Sequence, residues 1–159
     1  MRPKTRSEEV WRLTKWARVG GLIAPVLLVV IQFVPYGRAH TRPPVRQEPA
    51  WDLPATRDLT RQACFDCHSN ETTWPWYAEV APLSWLIQRD VDGGRRRLNF
   101  SEWDRPQRDA GRAARTVTRE TMPPWYYLPW HAQARLTDAE RQALIRGLER
   151  TLVLGVGSP

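Results

Sequence analysis

The apolar positions divide the chain into a long uncharged run, a proline-rich stretch and several short helical patterns. Residues 19–37 (VGGLIAPVLLVVIQFVPYG) carry no charged side chain. A helix rises about 1.5 Å per residue, so this run would span about 28 Å, close to the ~30 Å hydrocarbon core of a bilayer. The pattern therefore predicts one transmembrane helix at residues 19–37.

The charges that flank this run predict its orientation. Residues 1–18 contain six basic and two acidic side chains, which favours a cytoplasmic N-terminal tail. A cleaved signal peptide is the alternative, because Gly37 and Ala39 place small residues at a potential cleavage site. The apolar run is longer than the 7–15 residues typical of a signal peptide, so we expect an uncleaved anchor. This predicts a single-pass protein of the inner membrane whose remaining residues lie in the periplasm.

The rest of the chain predicts a linker and one helical domain. Residues 38–54 contain four prolines and little apolar pattern, which is typical of an extended linker that lifts a domain off the membrane. Residues 55–159 contain no alternating strand pattern, so we expect an all-α soluble domain.

Local signals predict four helices in this domain. The first leads into Cys64–His68, with Asp58 or Thr60 as its N-cap, and the second follows Pro82 and ends at Gly93-Gly94. The third covers residues 107–120, and the fourth opens with the capping-box pair Thr137 and Glu140. Apolar residues recur at helical spacing in the fourth helix, at Ala139, Ala143, Leu144, Leu148 and Leu152.

Composition narrows the classes of function. The formal net charge is +7, but +4 of it lies in residues 1–18, and no nucleic-acid-binding module is recognisable, so we expect no nucleic-acid partner. Nine tryptophans are many for 159 residues, and aromatic side chains can enclose a large planar cofactor. We expect most aromatic side chains of the domain to be core, with some against the cofactor: Trp74, Trp76, Tyr77, Trp85, Trp103, Trp125, Tyr126 and Tyr127.

The two cysteines of the chain define its strongest chemical motif, Cys64-Phe65-Asp66-Cys67-His68. Helical positions i, i+3 and i+4 share one face, so both thiols and the imidazole can reach one flat ligand. This spacing is typical of c-type haem, in which each thiol forms a thioether and the histidine binds iron. A thioredoxin-like pair would require a βαβ pattern, and structural zinc would require four ligands. We therefore predict one covalently bound haem c, with Cys64 and Cys67 as thioethers and His68 as the proximal ligand.

A second axial ligand can come from few residues. Met122 follows a predicted helix and precedes two prolines that stiffen the loop, so it is the favoured distal ligand. His131 is the less favoured alternative, and an open iron site remains the third. Arg95, Arg96 and Arg97 either pair with the haem propionates or form a solvated face.

Several motifs resemble those of the bacterial haem-binding domain family, small monohaem c-type cytochromes. The family's C-x-x-C-H-S-N-x-T-x-W-P-W-Y falls on residues 64–77, its L-N-F-S-x-W on 98–103, and its M-P-P-W-x-Y-L on 122–128. The family's D-V-x-x-G-R falls near Asp90, where Asp92-Gly93-Gly94-Arg95 keeps the Gly-Arg pair. The likeness covers about residues 55–150 and implies a membrane-anchored haem protein without a defined partner.

The function that these observations favour is single-electron transfer between larger redox proteins, with the protein either free or a bound subunit of a redox or photosynthetic complex. Six-coordinate iron leaves no open position for a substrate, so we do not expect an enzyme. The alternatives are a peroxidase or gas sensor with open iron, and a structural subunit whose haem stabilises the fold.

Overall fold

The computed structural model describes Trp11, residues 20–21 and residues 23–154. The predicted basic tail, residues 1–18, lies outside the described residues except for Trp11. The structure of these residues contradicts the predicted transmembrane helix. It therefore also contradicts the predicted location as a single-pass protein of the inner membrane. No helix in the described ranges is both long enough and apolar enough to cross a membrane. The helical residues 23–31 end at Ile31, where the side chain of Gln32 hydrogen-bonds both the backbone oxygen and the backbone nitrogen of Ala81.

The domain that follows is built from α-helices, as predicted. They are α1 (Pro54–His68), α2 (Leu83–Arg97), α3 (Ala113–Thr118) and α4 (Asp138–Leu154). Short 3₁₀ turns at Trp76–Glu79, Ala110–Arg112 and Ala132–Ala134 connect them. Within the described residues there is no β-strand, only an isolated bridge between Gln47 and Glu102.

Helix α1 lies at the centre of this arrangement and contacts both α2 and α4. Phe65 stacks on Phe100 with ring centroids 5.8 Å apart, and Leu144 and Leu148 of α4 are fully buried against the same core. Burial of large apolar side chains is the main stabilising contribution in a domain of this size. Of the predicted helical face of α4, Leu144, Leu148 and Leu152 are buried and Ala143 is half-buried, whereas Ala139 in the first turn is exposed.

The start of α1 differs from the prediction. The helix begins at Pro54, which occupies the first turn, and Leu53 is an N-cap without a side-chain hydrogen bond. Thr60 lies inside the helix, where its hydroxyl donates to Thr56 O at 2.7 Å. Proline fits the first helical turn because the missing N–H has no partner there. Thr60 and Asp58 are therefore interior residues and do not cap the helix.

Helix α2 also differs from the prediction, because it continues through Gly93 and Gly94 to Arg97. A Cβ on Gly94 would lie 2.2 Å from Cys67 O, so the absent side chain allows α2 to cross α1 at very short range. Gly94 is therefore a helix-crossing residue, and the two glycines do not form the predicted turn. The capping box of α4 is confirmed: Thr137 N donates to Glu140 Oε2 at 2.8 Å, and Glu140 N to Thr137 Oγ1 at 3.3 Å.

The proline-rich residues 38–53 form no helix, and they lie along the helical domain. We call residues 40–52 the strap. Trp51 packs on Phe65 and Phe100 with ring centroids 6.4 and 5.4 Å apart. Glu48 accepts two hydrogen bonds from Arg57 of α1, at 2.6 and 2.7 Å, and one from Trp51 Nε1 at 2.7 Å. The strap thus closes one side of the core beneath α1.

Candidate functional site

The last turn of α1 presents Cys64, Cys67 and His68 on one wall of a cavity of about 630 Å³. Helical geometry brings the three side chains to one face, as predicted from their spacing. Neither cysteine forms a disulfide. Burial raises the pKa of each thiol to about 12, and for Cys67 the negative charge of Asp90 contributes further. Both groups are therefore neutral thiols at physiological pH.

The orientation of His68 leaves one ring nitrogen available to a metal. Nδ1 lies 2.9 Å from Leu98 O, and because a carbonyl oxygen can only accept, Nδ1 carries the hydrogen. Nε2 then has a free lone pair. Burial lowers the pKa of His68, which favours the neutral imidazole that metals require. A histidine fixed by a backbone carbonyl is the arrangement usual for metal-binding imidazoles.

A buried polar network holds the loop behind His68. Phe100 N donates to His68 O at 2.8 Å, and Asn99 Nδ2 donates to Asn70 Oδ1 at 2.9 Å. Asn70 N in turn donates to Ser101 Oγ at 2.9 Å. Leu98 belongs to the same segment, so these bonds also place the carbonyl that orients His68. Asn70 and Asn99 could not be assigned a role from the sequence, although both lie in the motifs at residues 64–77 and 98–103.

Helix α2 supplies the adjoining wall. Asp90, Gly93 and Gly94 line the cavity, and the close crossing at Gly94 brings this wall against Cys67. Tyr126 and Tyr127 from the loop after Met122 close another side. Their hydroxyls donate to carboxylates: Tyr126 to Asp90 Oδ2 at 3.0 Å, and Tyr127 to Asp66 Oδ2 at 2.6 Å. Burial and these carboxylates raise the pKa of Tyr126 to about 12, and that of Tyr127 still further.

Met122 lines the same cavity as His68, together with Pro123 and Pro124. The chain turns sharply before it, where the backbone N–H groups of Thr121 and Met122 both donate to Thr116 O. The Met122 residue is 38% exposed. The cavity thus contains both proposed thioether sulfurs, a free imidazole nitrogen and a methionine sulfur.

His131 does not line this cavity. It lies against a second, neighbouring cavity, where its ring stacks on Tyr127 with centroids 3.7 Å apart. Its Nδ1 is 3.0 Å from Tyr127 O, and its Nε2 is 3.4 Å from Tyr77 OH. The structure therefore does not bring His131 together with Cys64, Cys67 and His68.

The arginines divide between two roles. Arg95 is held away from the cavity by bonds to Ser69 O, Thr41 O and Thr72 Oγ1, so it joins the strap to the loop after His68. Arg96 and Arg97 line the cavity, and both are also exposed to solvent. Two further arginines, which sequence reasoning missed, line it as well: Arg89 and Arg112. Arg89 lies one helical turn before Gly93, on the face of α2 that borders the cavity. Which face that is depends on how α2 crosses α1, and the sequence does not give the crossing.

Of the eight aromatic residues considered, Tyr126 and Tyr127 line the cavity. Trp76 and Trp125 are largely exposed, so they do not belong to the core. Trp103 packs beneath the site, parallel to Phe100, with ring centroids 6.2 Å apart. Aromatic composition alone could not distinguish these positions.

Comparison with known families decides the cofactor. The sequence profile of the haem-binding domain family matches residues 26–150. The chain belongs to this family. The match begins well before the motifs that suggested it, so the strap is part of the family's domain. No curated protein and no solved structure matches the chain.

This haem-binding protein has a cavity whose residues fit the cofactor. Its volume of about 630 Å³ falls within the ~300–1,000 Å³ usual for small-molecule and cofactor sites. The donor set is two thiols, one imidazole nitrogen and one thioether sulfur, and arginines at the wall match two propionate carboxylates. The family match and the geometry thus agree on haem.

Proposed function

We propose that this protein is a monohaem c-type cytochrome that carries single electrons to and from a redox protein. The observation that supports this most is that Cys64, Cys67, His68 and Met122 line one cavity. In this proposal Cys64 and Cys67 would hold a single haem as thioethers, and His68 Nε2 and the Met122 sulfur would be the ligands of its iron. Bound haem supplies reversible one-electron exchange.

The protein's own residues prepare the site for that role. Leu98 O holds the hydrogen on His68 Nδ1, so the imidazole donates through Nε2 without a proton loss. Two prolines after Met122 restrict the loop, and a stiff ligand loop reduces rearrangement when the charge of the site changes. If His68 and Met122 both bound the iron, no position would be left for a substrate, which favours an electron carrier over an enzyme.

Covalent attachment can be tested by mass. The purified protein should be heavier than its sequence by one haem and should stain for haem after denaturing electrophoresis. Cys64→Ala should retain a single bond at most, and the Cys64→Ala/Cys67→Ala double variant should release its haem to an acidified organic solvent. A protein of unmodified mass would contradict the proposal of a c-type cytochrome, while leaving haem binding itself intact.

The distal ligand can be tested with carbon monoxide. Met122→Ala should let the reduced protein bind carbon monoxide rapidly, whereas the wild type and His131→Ala should resist it. Met122→His should stay six-coordinate and lower the reduction potential, because thioether sulfur favours ferrous iron more than imidazole does. If His131→Ala opens the iron instead, His131 is the ligand. If the wild type already binds carbon monoxide, a sensor or peroxidase becomes the better proposal.

A further inference from the structure

A second cavity of about 280 Å³ lies beside the haem cavity. Five residues line both cavities and form the wall between them: Asp66, Cys67, Asp90, Tyr126 and Tyr127. Of the haem motif's cysteines and histidine, only Cys67 lines the second cavity, whereas Cys64 and His68 line the first alone. Its remaining lining is mostly apolar, with Trp76, Leu83, Leu86, Ile87, Val91 and Trp130.

Two tryptophans at this cavity are unusually exposed. Trp76 is 79% exposed and Trp130 71%, and each packs against Tyr77, with ring centroids 5.7 and 5.6 Å away. Exposed aromatic side chains grouped around one concave surface are typical of ligand sites, because a flat ligand covers their area when it binds. The cluster therefore favours an aromatic ligand.

The polar groups of the cavity indicate what such a ligand carries. His131 Nδ1 donates to Tyr127 O at 3.0 Å, so Nε2 of the neutral ring is an acceptor. The hydroxyl of Tyr77 lies 3.4 Å from that Nε2, which is long for a hydrogen bond and easily exchanged. Stacking on Tyr127 at 3.7 Å fixes the imidazole. A ligand hydroxyl can accept from Tyr77 and donate to His131 Nε2 at the same time.

We infer that the second cavity binds a small planar phenol or hydroquinone of one or two fused rings. Its ring lies among the tryptophans, and its hydroxyl exchanges hydrogen bonds with Tyr77 and His131. The cavity volume of about 280 Å³ has room for a ligand of this size. The inference concerns binding alone and holds whether or not the protein transfers electrons.

Calorimetric titration of the haem-loaded protein with 2-naphthol tests the site. We expect saturable binding at one site with a Kd below about 1 mM. Leu86→Trp places a larger side chain at the cavity wall and should weaken binding at least about tenfold, because the indole takes the space that the ligand ring needs. Leu53→Trp is the matched control, because Leu53 is an exposed leucine that lines neither cavity, and it should bind as the wild type does. Tyr77→Phe should weaken binding about fivefold through loss of one hydrogen bond.

The visible spectrum provides the second measurement. It should be the same in all three variants, because Leu86, Leu53 and Tyr77 do not line the haem cavity, and it should not change when 2-naphthol binds at its own site. Absence of saturable binding, or equal binding by Leu86→Trp, would overturn the inference. Equal binding by Tyr77→Phe would overturn the phenol assignment. A naphthol-dependent spectral change that Met122→Ala enhances would place the ligand at the iron and overturn the inference as well.

Discussion

Replacing Gly94 by alanine should destabilise the protein, because Gly94 is where α2 crosses the end of α1 that carries the haem motif. A Cβ at this position would lie 2.2 Å from Cys67 O and 2.9 Å from its carbonyl carbon. Both are helix backbone atoms, so no side-chain rotation relieves the overlap. The helices would have to separate by about 1 Å to reach normal contact.

The magnitude follows from two opposing contributions. Overpacking of a rigid contact costs about 1–3 kcal/mol, and a backbone obstacle favours the upper end of that range. Alanine gains about 1 kcal/mol over glycine inside a helix. We therefore expect Gly94→Ala to lower the free energy of unfolding by about 2 kcal/mol. For a chain of this length that corresponds to roughly 4–8 °C in Tm.

Gly93→Ala is the matched control, because it makes the same change one residue earlier in the same helix. Among the protein atoms its Cβ would meet only the end of the Arg96 side chain, at 4.0 Å, but Gly93 lines the haem cavity, so a control outside the cavity is needed beside it. Gly93→Ala should raise the free energy of unfolding by about 0.5–1 kcal/mol. Gly111→Ala, with no atom within 4 Å of its Cβ and outside the cavity, provides a second control. Thermal and urea unfolding of the haem-loaded proteins measure the difference, and haem content reports whether Cys67 and His68 are displaced. If Gly94→Ala were as stable as Gly93→Ala, the crossing would not be tight and this reasoning would be refuted.

Three further changes test other parts of the fold. Glu48→Gln should cost about 1–2 kcal/mol in urea unfolding, because it breaks the paired hydrogen bonds to Arg57 that hold the strap. The pKa of Glu48 is lowered mainly by the Arg57 hydrogen bond, so this contribution to the free energy of unfolding is present above about pH 4.5 and is lost as the pH falls below it. The free energy of unfolding of Glu48→Gln should therefore depend less on pH in this acidic range. The pKa of Tyr126 is raised to about 12, so the free energy of unfolding should fall as the pH rises from about 10 towards 12. Tyr126→Phe should make this fall smaller. An unchanged pH dependence would show that Tyr126 does not cause it. Thr137→Ala should cost about 1 kcal/mol through loss of the capping box while Thr137→Ser should not, as thermal unfolding can show.

The amino-acid sequence determined those features that depend on residues close together in the chain. Two cysteines and a histidine at i, i+3 and i+4 share a helix face whatever surrounds them, so the haem motif could be recognised without a structure. The capping box of Thr137 and Glu140 and the periodic face of α4 are local in the same sense. The all-helical domain follows from such patterns, because each helix needs only its own periodicity to be recognised.

Only the tertiary structure decided what depends on distant contacts. Gly93-Gly94 reads as a turn from local propensity, yet α2 continues through it because Gly94 packs directly on Cys67. The uncharged run at residues 19–37 predicted a membrane helix. In the structure the helix ends at Ile31, and the side chain of Gln32 hydrogen-bonds Ala81, 49 residues away in the sequence. Arg95 and Arg96 are neighbours in the chain, but one holds the strap and the other lines the cavity, since successive helical residues point about 100° apart. Helix propensity depends on neighbours along the chain. The helix crossing, the strap and the second cavity depend on contacts between residues that are distant in the sequence, so the sequence alone did not predict them.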